Sequence, residues 1–495
     1  MYPVSSVAHA SRDSRPIGPA VSPPRYTRPP VDTRLPWVLI LMFAISLPAV
    51  TTRIYASDEV QYFAYLRSLW FDGDVSFDNE YRHFYEAGIA RSDGFHETFL
   101  ERRTETGRRI NFATIGCALL WSPFYAAADA WVLTAGRRGD RVPRDGYSQP
   151  YVAAVAYASA FYGLLALVLS VTAVRHLAWH WPELSTRAVP SALVVWAGTP
   201  LLFYMYVAPP MSHATSAFAV ALFVVVWLRV REQWTTGGLM ALGAAAALMA
   251  MVREQDAFFA AGPAVDFLHA LMTHDRKRGQ RVAGAVLGAV TAMAVFTPQA
   301  LAYLALNGHV GPSRLVARKM TWTAPHAAEV VASPHHGLLI WTPLAVLAIA
   351  GLVVLARRLE PAARPVAAGL AAMTLVQIYV AGSVESWSVA GAFGQRRFVA
   401  LTVIFVIGMA ALLTWAAPRR PVSLPLAVAV SAACWWNVAL MAQFGAGMMN
   451  RQRLEPSRIA YNTFVVMPRA LPDLIRRYFF DRASFYESAR RLRGR

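Results

Sequence analysis

Apolar stretches approaching twenty residues recur along this chain, near 35–54, 150–175, 188–208, 211–230, 236–252, 256–272, 282–306, 337–356, 366–383, 397–416 and 422–443. A helix needs about that length to cross a hydrocarbon layer of roughly 30 Å, and in lipid it must pair its own backbone N–H and C=O groups. The pattern predicts an all-α polytopic membrane protein of about eleven transmembrane helices. The composition agrees: 56% of residues are hydrophobic, only 15% are charged, and the mean hydropathy is +0.36. Few soluble domains have this balance.

The net charge of +18 does not point to nucleic acid, because the basic residues cluster in the connections between apolar runs. They mark Arg175 to Arg187, Arg229 to Glu232, His274 to Arg281, Arg357 to Arg364 and Arg419-Arg420 as cytoplasmic loops. The amino terminus is then inside and the carboxyl tail outside. The preference for Arg over Lys suits a GC-rich bacterial genome. Residues 1–34, rich in Pro, Ser and Arg and without an apolar core, are expected to be a disordered cytoplasmic tail rather than a signal peptide. Residues 35–443 are the transmembrane domain, and 444–495 a basic external tail. Cys117 and Cys434 lie in distant apolar segments and act as small hydrophobes, not as a disulfide. The segment 112–134 is also apolar, but Asn111, Pro123 and Asp129, the flanking Arg108-Arg109 and Arg137-Arg138, and the parity of the basic loops favour an interfacial helix. Residues 53–149 then form one large external loop with interfacial helices near 58–70 and 112–134.

Within that loop Asp58 and Glu59 stand just past the first apolar run, where a lipid-borne substrate and a water-soluble one can meet. Glycosyl transfer from a lipid-linked donor needs a base for the acceptor hydroxyl, cations for the departing phosphate, and an interfacial cavity. Asp58 or Glu59 is the candidate base, against the alternative of a solvated acidic turn. Gln61, Tyr62, Tyr65 and Arg67 continue on a helical period. Asp72, Asp74, Asp78 and Glu80 could surround a divalent cation, but they lack the calcium-loop spacing, and a turn between interfacial helices is favoured, with no cofactor expected.

Candidate phosphate ligands recur at external tips. Arg253 has the planar fork that matches phosphate oxygens, although a snorkelling interfacial anchor is an equal alternative. Arg396 and Arg397 begin a helix, where anions are favoured. Arg314 and Lys319 lie in the connection 306–337 with Trp322, His326, His335 and His336. His213, Trp322, His336 and Trp387 are candidates for holding acceptor or sugar. Adjacent His335 and His336 do not make a zinc site without further ligands.

With these residues in place, the chain resembles the C-type (GT-C) membrane glycosyltransferases that use polyprenyl-phosphate sugars, similar to protein mannosyltransferases and to the aminoarabinose and galacturonic acid transferases acting on lipid A. The resemblance spans most of 35–416 as architecture. It is sharpest at Ser57-Asp58-Glu59, matching the acidic motif after the first span, and at Gly238 to Asp256, matching a run of small apolar residues closing on an Arg. It implies Asp58 as base with Glu59 in support, a polyprenyl-phosphate sugar donor, an envelope acceptor (lipid, glycan or protein), and a site facing outward from the bacterial inner membrane. The chain departs from the family in having Met211-Ser212-His213 where a second acid is common, and Ser122-Pro123 where a Pro-Pro pair is frequent.

A secondary transporter or flippase, or a non-catalytic envelope-assembly subunit, is the alternative. The large first external loop and the absence of two comparable halves weigh against a transporter. A cysteine introduced at position 145 is expected to react with an impermeant thiol reagent added from outside intact cells; reaction only after permeabilisation would refute the outward-facing loop.

Overall fold

An apolar segment surrounded by lipid can satisfy its backbone only by coiling, and every one of the eleven apolar runs contains helix in the computed structural model. The structure describes residues 35–482, apart from 90–91, 140–141, 274–276, 390 and 418–420. The expected amino-terminal tail, the last thirteen residues of the carboxyl tail, and the loop residues His274 and Arg419-Arg420 lie outside the described residues. Among those described there is no strand, only isolated bridges between Arg103 and Arg109 and between Met320 and Val384.

In chain order the principal helices are α1 (Trp37–Ser46), α2 (Ser57–Arg67), α3 (Asp78–Glu86), α4 (Gly116–Arg137), α5 (Gln149–Leu177), α6 (Leu184–Gly198), α7 (His213–Val230) and α8 (Thr236–Val252). They continue with α9 (Ala261–Thr273), α10 (Arg278–Asn307), α11 (Leu344–Arg358), α12 (Arg364–Ser383), α13 (Thr402–Ala416), α14 (Leu424–Ala446) and α15 (Met467–Phe480). Among the described residues six stretches are long and apolar enough to cross a membrane: Gln149–Leu177, His213–Val230, Arg278–Asn307, Pro361–Ser383, Arg396–Ala416 and Leu424–Ala446. Trp37–Ala49 and Thr236–Val252 are shorter apolar helices. The chain is thus all-α, with the composition of a membrane protein.

Burial separates the centre of this bundle from its rim. Arg396–Ala416 is 94% enclosed, whereas Arg278–Asn307 is 17% and Leu424–Ala446 22% enclosed. Helix α13 is therefore the axis, packed by α5, α6, α7 and α11, while α10 leans on α8. Two of these contacts depend on the absence of a side chain. A Cβ on Gly351 of α11 would collide with the Gly408 carbonyl of α13, and one on Gly243 of α8 with the Gly288 carbonyl of α10. Small residues at such crossings let backbones approach where lipid supplies no hydrophobic drive between helices.

The first loop folds over one end of the bundle. Helix α4 is anchored through buried Asp129, which accepts hydrogen bonds from Trp70 Nε1 (3.3 Å), Arg144 (2.8 Å) and the Tyr151 hydroxyl (2.6 Å). The four acidic residues at 72–80 are taken up by three different side chains. Asp72 and Glu80 both pair with Arg67, Asp74 accepts from Ser68 Oγ, and Asp78 pairs with Arg109. The described part of the segment expected as a carboxyl tail is largely helical, and residues 478–482 are tied to the exit of α1. Tyr478 donates to the Ala49 carbonyl (2.7 Å) and Arg482 to those of Pro48 (2.8 Å) and Val50 (3.1 Å).

The close crossings make a direct prediction. Gly351→Val should cost about 1–3 kcal/mol by overpacking and lower the melting temperature in detergent. Gly136→Val, whose Cβ meets nothing within 4 Å, should leave it nearly unchanged. Equal melting of the two variants would contradict the packing described.

Candidate functional site

Helix α2 begins where it does because Glu59 turns back on its own start. Its carboxylate accepts from the Tyr55 (2.6 Å) and Ala56 (3.0 Å) amides, satisfying donors that the first turn would leave unpaired. Glu59 is buried, and burial pushes its carboxyl up to about 7 against the pull of those two hydrogen bonds. One residue earlier the side chain points a different way. Asp58 is part-exposed and accepts from Arg396 Nη1 at 2.6 Å.

That contact lies on the wall of a cavity of about 710 Å³, within the range usual for small-molecule sites. Asp58, Gln61 and Tyr62 line it from α2, and Ser212 and His213 from the start of α7. Arg253 and Glu254 close it from the end of α8 and the 3₁₀ turn Glu254–Ala260, and Lys319 and Trp322 come from the connection after α10. Arg396 and Arg397 enter from the turn that leads into α13.

Each arginine is held in a different manner. Arg253 donates through Nη1 to Nδ1 of His213 (3.2 Å), so that ring nitrogen is an acceptor, and the Gln255 amide oxygen also lies against the guanidinium. Arg397 donates to the Ser386 carbonyl (2.9 Å) and hydroxyl (3.1 Å), which fixes it to the preceding turn. Arg396 has Asp58. Lys319 has no ion-pair partner among the described residues; its ammonium sits 5.0 Å from the Phe112 ring. The connection carrying it is pinned to the 384–395 turn, because the Lys319 carbonyl accepts from the Glu385 amide at 2.8 Å.

The cavity therefore gathers four cations, Arg253, Lys319, Arg396 and Arg397, against two carboxylates, Asp58 and Glu254. Uncompensated charge away from bulk water is costly, so an enclosed positive excess is a site for an anion. Glu254 differs from Asp58. It has no hydrogen bond or ion pair among the described residues, and burial alone pushes its carboxyl up to about 7. No family model matches the chain, and no curated protein matches it.

Of the residues singled out in the sequence, Asp58, His213, Arg253, Lys319, Trp322, Arg396 and Arg397 come together on this wall. Four do not. Glu59 is turned into the protein as a helix cap. Arg314 is exposed and 3.6 Å from Glu105. His336 is buried, stacked on Trp341 with ring centroids 4.4 Å apart, and donates to the Ala392 carbonyl; burial holds its imidazole down near 4, so it is a neutral packing residue. Trp387 stacks on His326 and supports the turn through its carbonyl, which accepts from Gln395. Among the described residues no three His, Cys, Asp or Glu side chains converge as a metal-binding group.

Sequence reasoning gave no role to Glu254, Gln255 and Phe258 on the wall, although Glu254 and Gln255 adjoin Arg253. Thr98, Phe99 and Phe112 reach it through a fold of the first loop that local pattern does not encode.

The raised acids set a pH dependence. Glu254 ionises at about 7 in the fold against 4.5 for the free side chain, so its neutral form stabilises the fold below 4.5, and that stability is lost as pH rises to about 7. Glu59 and Glu80 act in the same direction. The melting temperature should fall across that window, and Glu254→Gln, which breaks no contact, should flatten the fall. An unchanged slope in the variant would contradict the burial of this carboxyl.

Proposed function

We propose that this chain is a GT-C-type membrane glycosyltransferase. It moves a sugar from a polyprenyl-phosphate donor to an envelope acceptor, on the outer face of the bacterial inner membrane. In this reading the eleven apolar runs are spans, and the first loop caps the site from outside. The observation that supports it is the convergence of Arg253, Arg396, Arg397 and Lys319 with Asp58 around one cavity, beside helices apolar enough for lipid. A carrier or assembly subunit has no comparable need for a carboxylate set among phosphate-binding cations.

The chemistry then follows from charge. The acceptor oxygen attacks the anomeric carbon, the bond from that carbon to the phosphate oxygen breaks, and its electron pair leaves with polyprenyl phosphate. The guanidiniums stabilise the charge that develops on the leaving group. Asp58 takes the acceptor proton. Before substrate arrives, Asp58 and Arg396 neutralise each other at 2.6 Å. A donor phosphate competes for Arg396, and its binding releases Asp58 toward the acceptor.

Purified protein in detergent is expected to bind polyprenyl phosphate and to release it from at least one of a panel of polyprenyl-phosphate sugars. Arg253→Ala should weaken binding about tenfold or more, since a charge-assisted contact contributes roughly 1.5–3 kcal/mol. Asp58→Asn should bind the lipid but lose about 10²–10⁴ in rate, as expected for a general base. No affinity for polyprenyl phosphate would remove the transferase reading, and an Asp58→Asn rate within about threefold of the parent would remove Asp58 as base.

A further inference from the structure

The cavity is not chemically uniform. At one end Arg253, Arg396 and Arg397 are close enough to repel one another, and Asp58 lies among them. Glu254 lines the same cavity but has no hydrogen bond or ion pair among the described residues, and its carboxylate adds to burial in pushing up the Tyr65 phenol. The Tyr65 hydroxyl itself has no hydrogen-bond partner among the described residues. An unpaired carboxylate held largely out of water is unfavourable, and a ligand that donates hydrogen bonds to it would offset that cost.

An aromatic pair lines the same cavity as this carboxylate. Phe258, four residues along the same 3₁₀ segment, and Trp322 have ring centroids 5.9 Å apart, with 47% and 40% of their surfaces exposed. Large aromatic faces left open inside a polar cavity suit the C–H face of a sugar ring, whose hydroxyls then project sideways to polar groups. A phosphate end, an aromatic platform and a lone hydrogen-bond acceptor are the three features that a phosphate-linked sugar presents in complement.

Resting on the transferase reading, we propose that Glu254, with Phe258 and Trp322, forms the sugar-recognition end of the cavity and selects a neutral or amine-bearing sugar over a uronic acid. At a pH above about 8, where Glu254 is ionised and the test is run, a sugar carboxylate would meet it as a like charge, whereas hydroxyl or ammonium donors meet an acceptor without a partner among the described residues. Glu254 is here a specificity-determining residue; it does not touch the phosphate and takes no part in holding the lipid.

The test uses the full-length protein in nanodiscs and compares binding of bare polyprenyl phosphate, polyprenyl-phosphate mannose, polyprenyl-phosphate arabinose and polyprenyl-phosphate galacturonic acid. The parent should bind at least one neutral sugar lipid about tenfold or more tighter than the uronic acid lipid. Glu254→Gln, which loses no contact among the described residues, should reduce that preference to within about threefold and should not weaken binding of bare polyprenyl phosphate. Trp322→Ala should weaken every sugar-bearing lipid but not the bare one. The proposal is overturned if Glu254→Gln shifts all four lipids equally, if it shifts none, or if the uronic acid lipid is preferred by the parent. Failure of the parent to bind any of the four overturns the transferase reading itself, a result distinct from the others.

Discussion

The ion pair between Asp58 and Arg396 joins two parts of the chain that have no other reason to meet at their charged ends. Asp58 is in the first turn of the helix after the first apolar run, and Arg396 opens the turn into α13, the most enclosed helix of the bundle. Outside the pair the cavity holds three cations, Arg253, Lys319 and Arg397, against the single carboxylate of Glu254, an excess that a bound anion would offset. The resting site is thus held by a contact that a stronger anion can replace. Both the proposed order of events and the orientation of the first loop over the bundle follow from it.

The apolar body makes this arrangement possible. Close crossings at Gly351–Gly408 and Gly243–Gly288 set the positions of the helix ends that project into the cavity. Arg253 directly follows α8, and its backbone N–H still bonds to the Met249 carbonyl, so its side chain leaves from a fixed point. Arg397 is fixed by Ser386, and the Lys319 connection by Glu385. Arg253 and Arg397 are held by neutral protein groups before any ligand arrives, the condition for electrostatic stabilisation without reorganisation, whereas Arg396 exchanges Asp58 for the phosphate.

Much of this was legible in the sequence, since hydrophobic period and length are local signals. Each apolar run holds helix, and the helices near 57–67 and 116–137 fall close to the expected interfacial segments. Asp58 and Arg253 were readable because each stands at the end of an apolar run on the side opposite the strongly basic loops. Side-chain direction was not readable. Glu59 is one residue from Asp58, but a helical step of about 100° turns it inward to cap its own helix. His336 has a positive φ of 64° and is turned into a stack with Trp341, which no spacing argument foresees. Glu254 has no local signal beside Arg253 to single it out, and only the folded 3₁₀ segment shows it half-buried on the cavity wall with no hydrogen bond or ion pair among the described residues.

The central claim is that the cationic end of the cavity holds a lipid phosphate. A cryo-electron microscopy map of the protein in nanodiscs with polyprenyl phosphate tests it most directly. The account predicts phosphate density within hydrogen-bonding distance of Arg253 and Arg396, with the Asp58–Arg396 contact opened. Phosphate density elsewhere on the protein, with that contact intact and the cavity empty at saturating lipid, would contradict it.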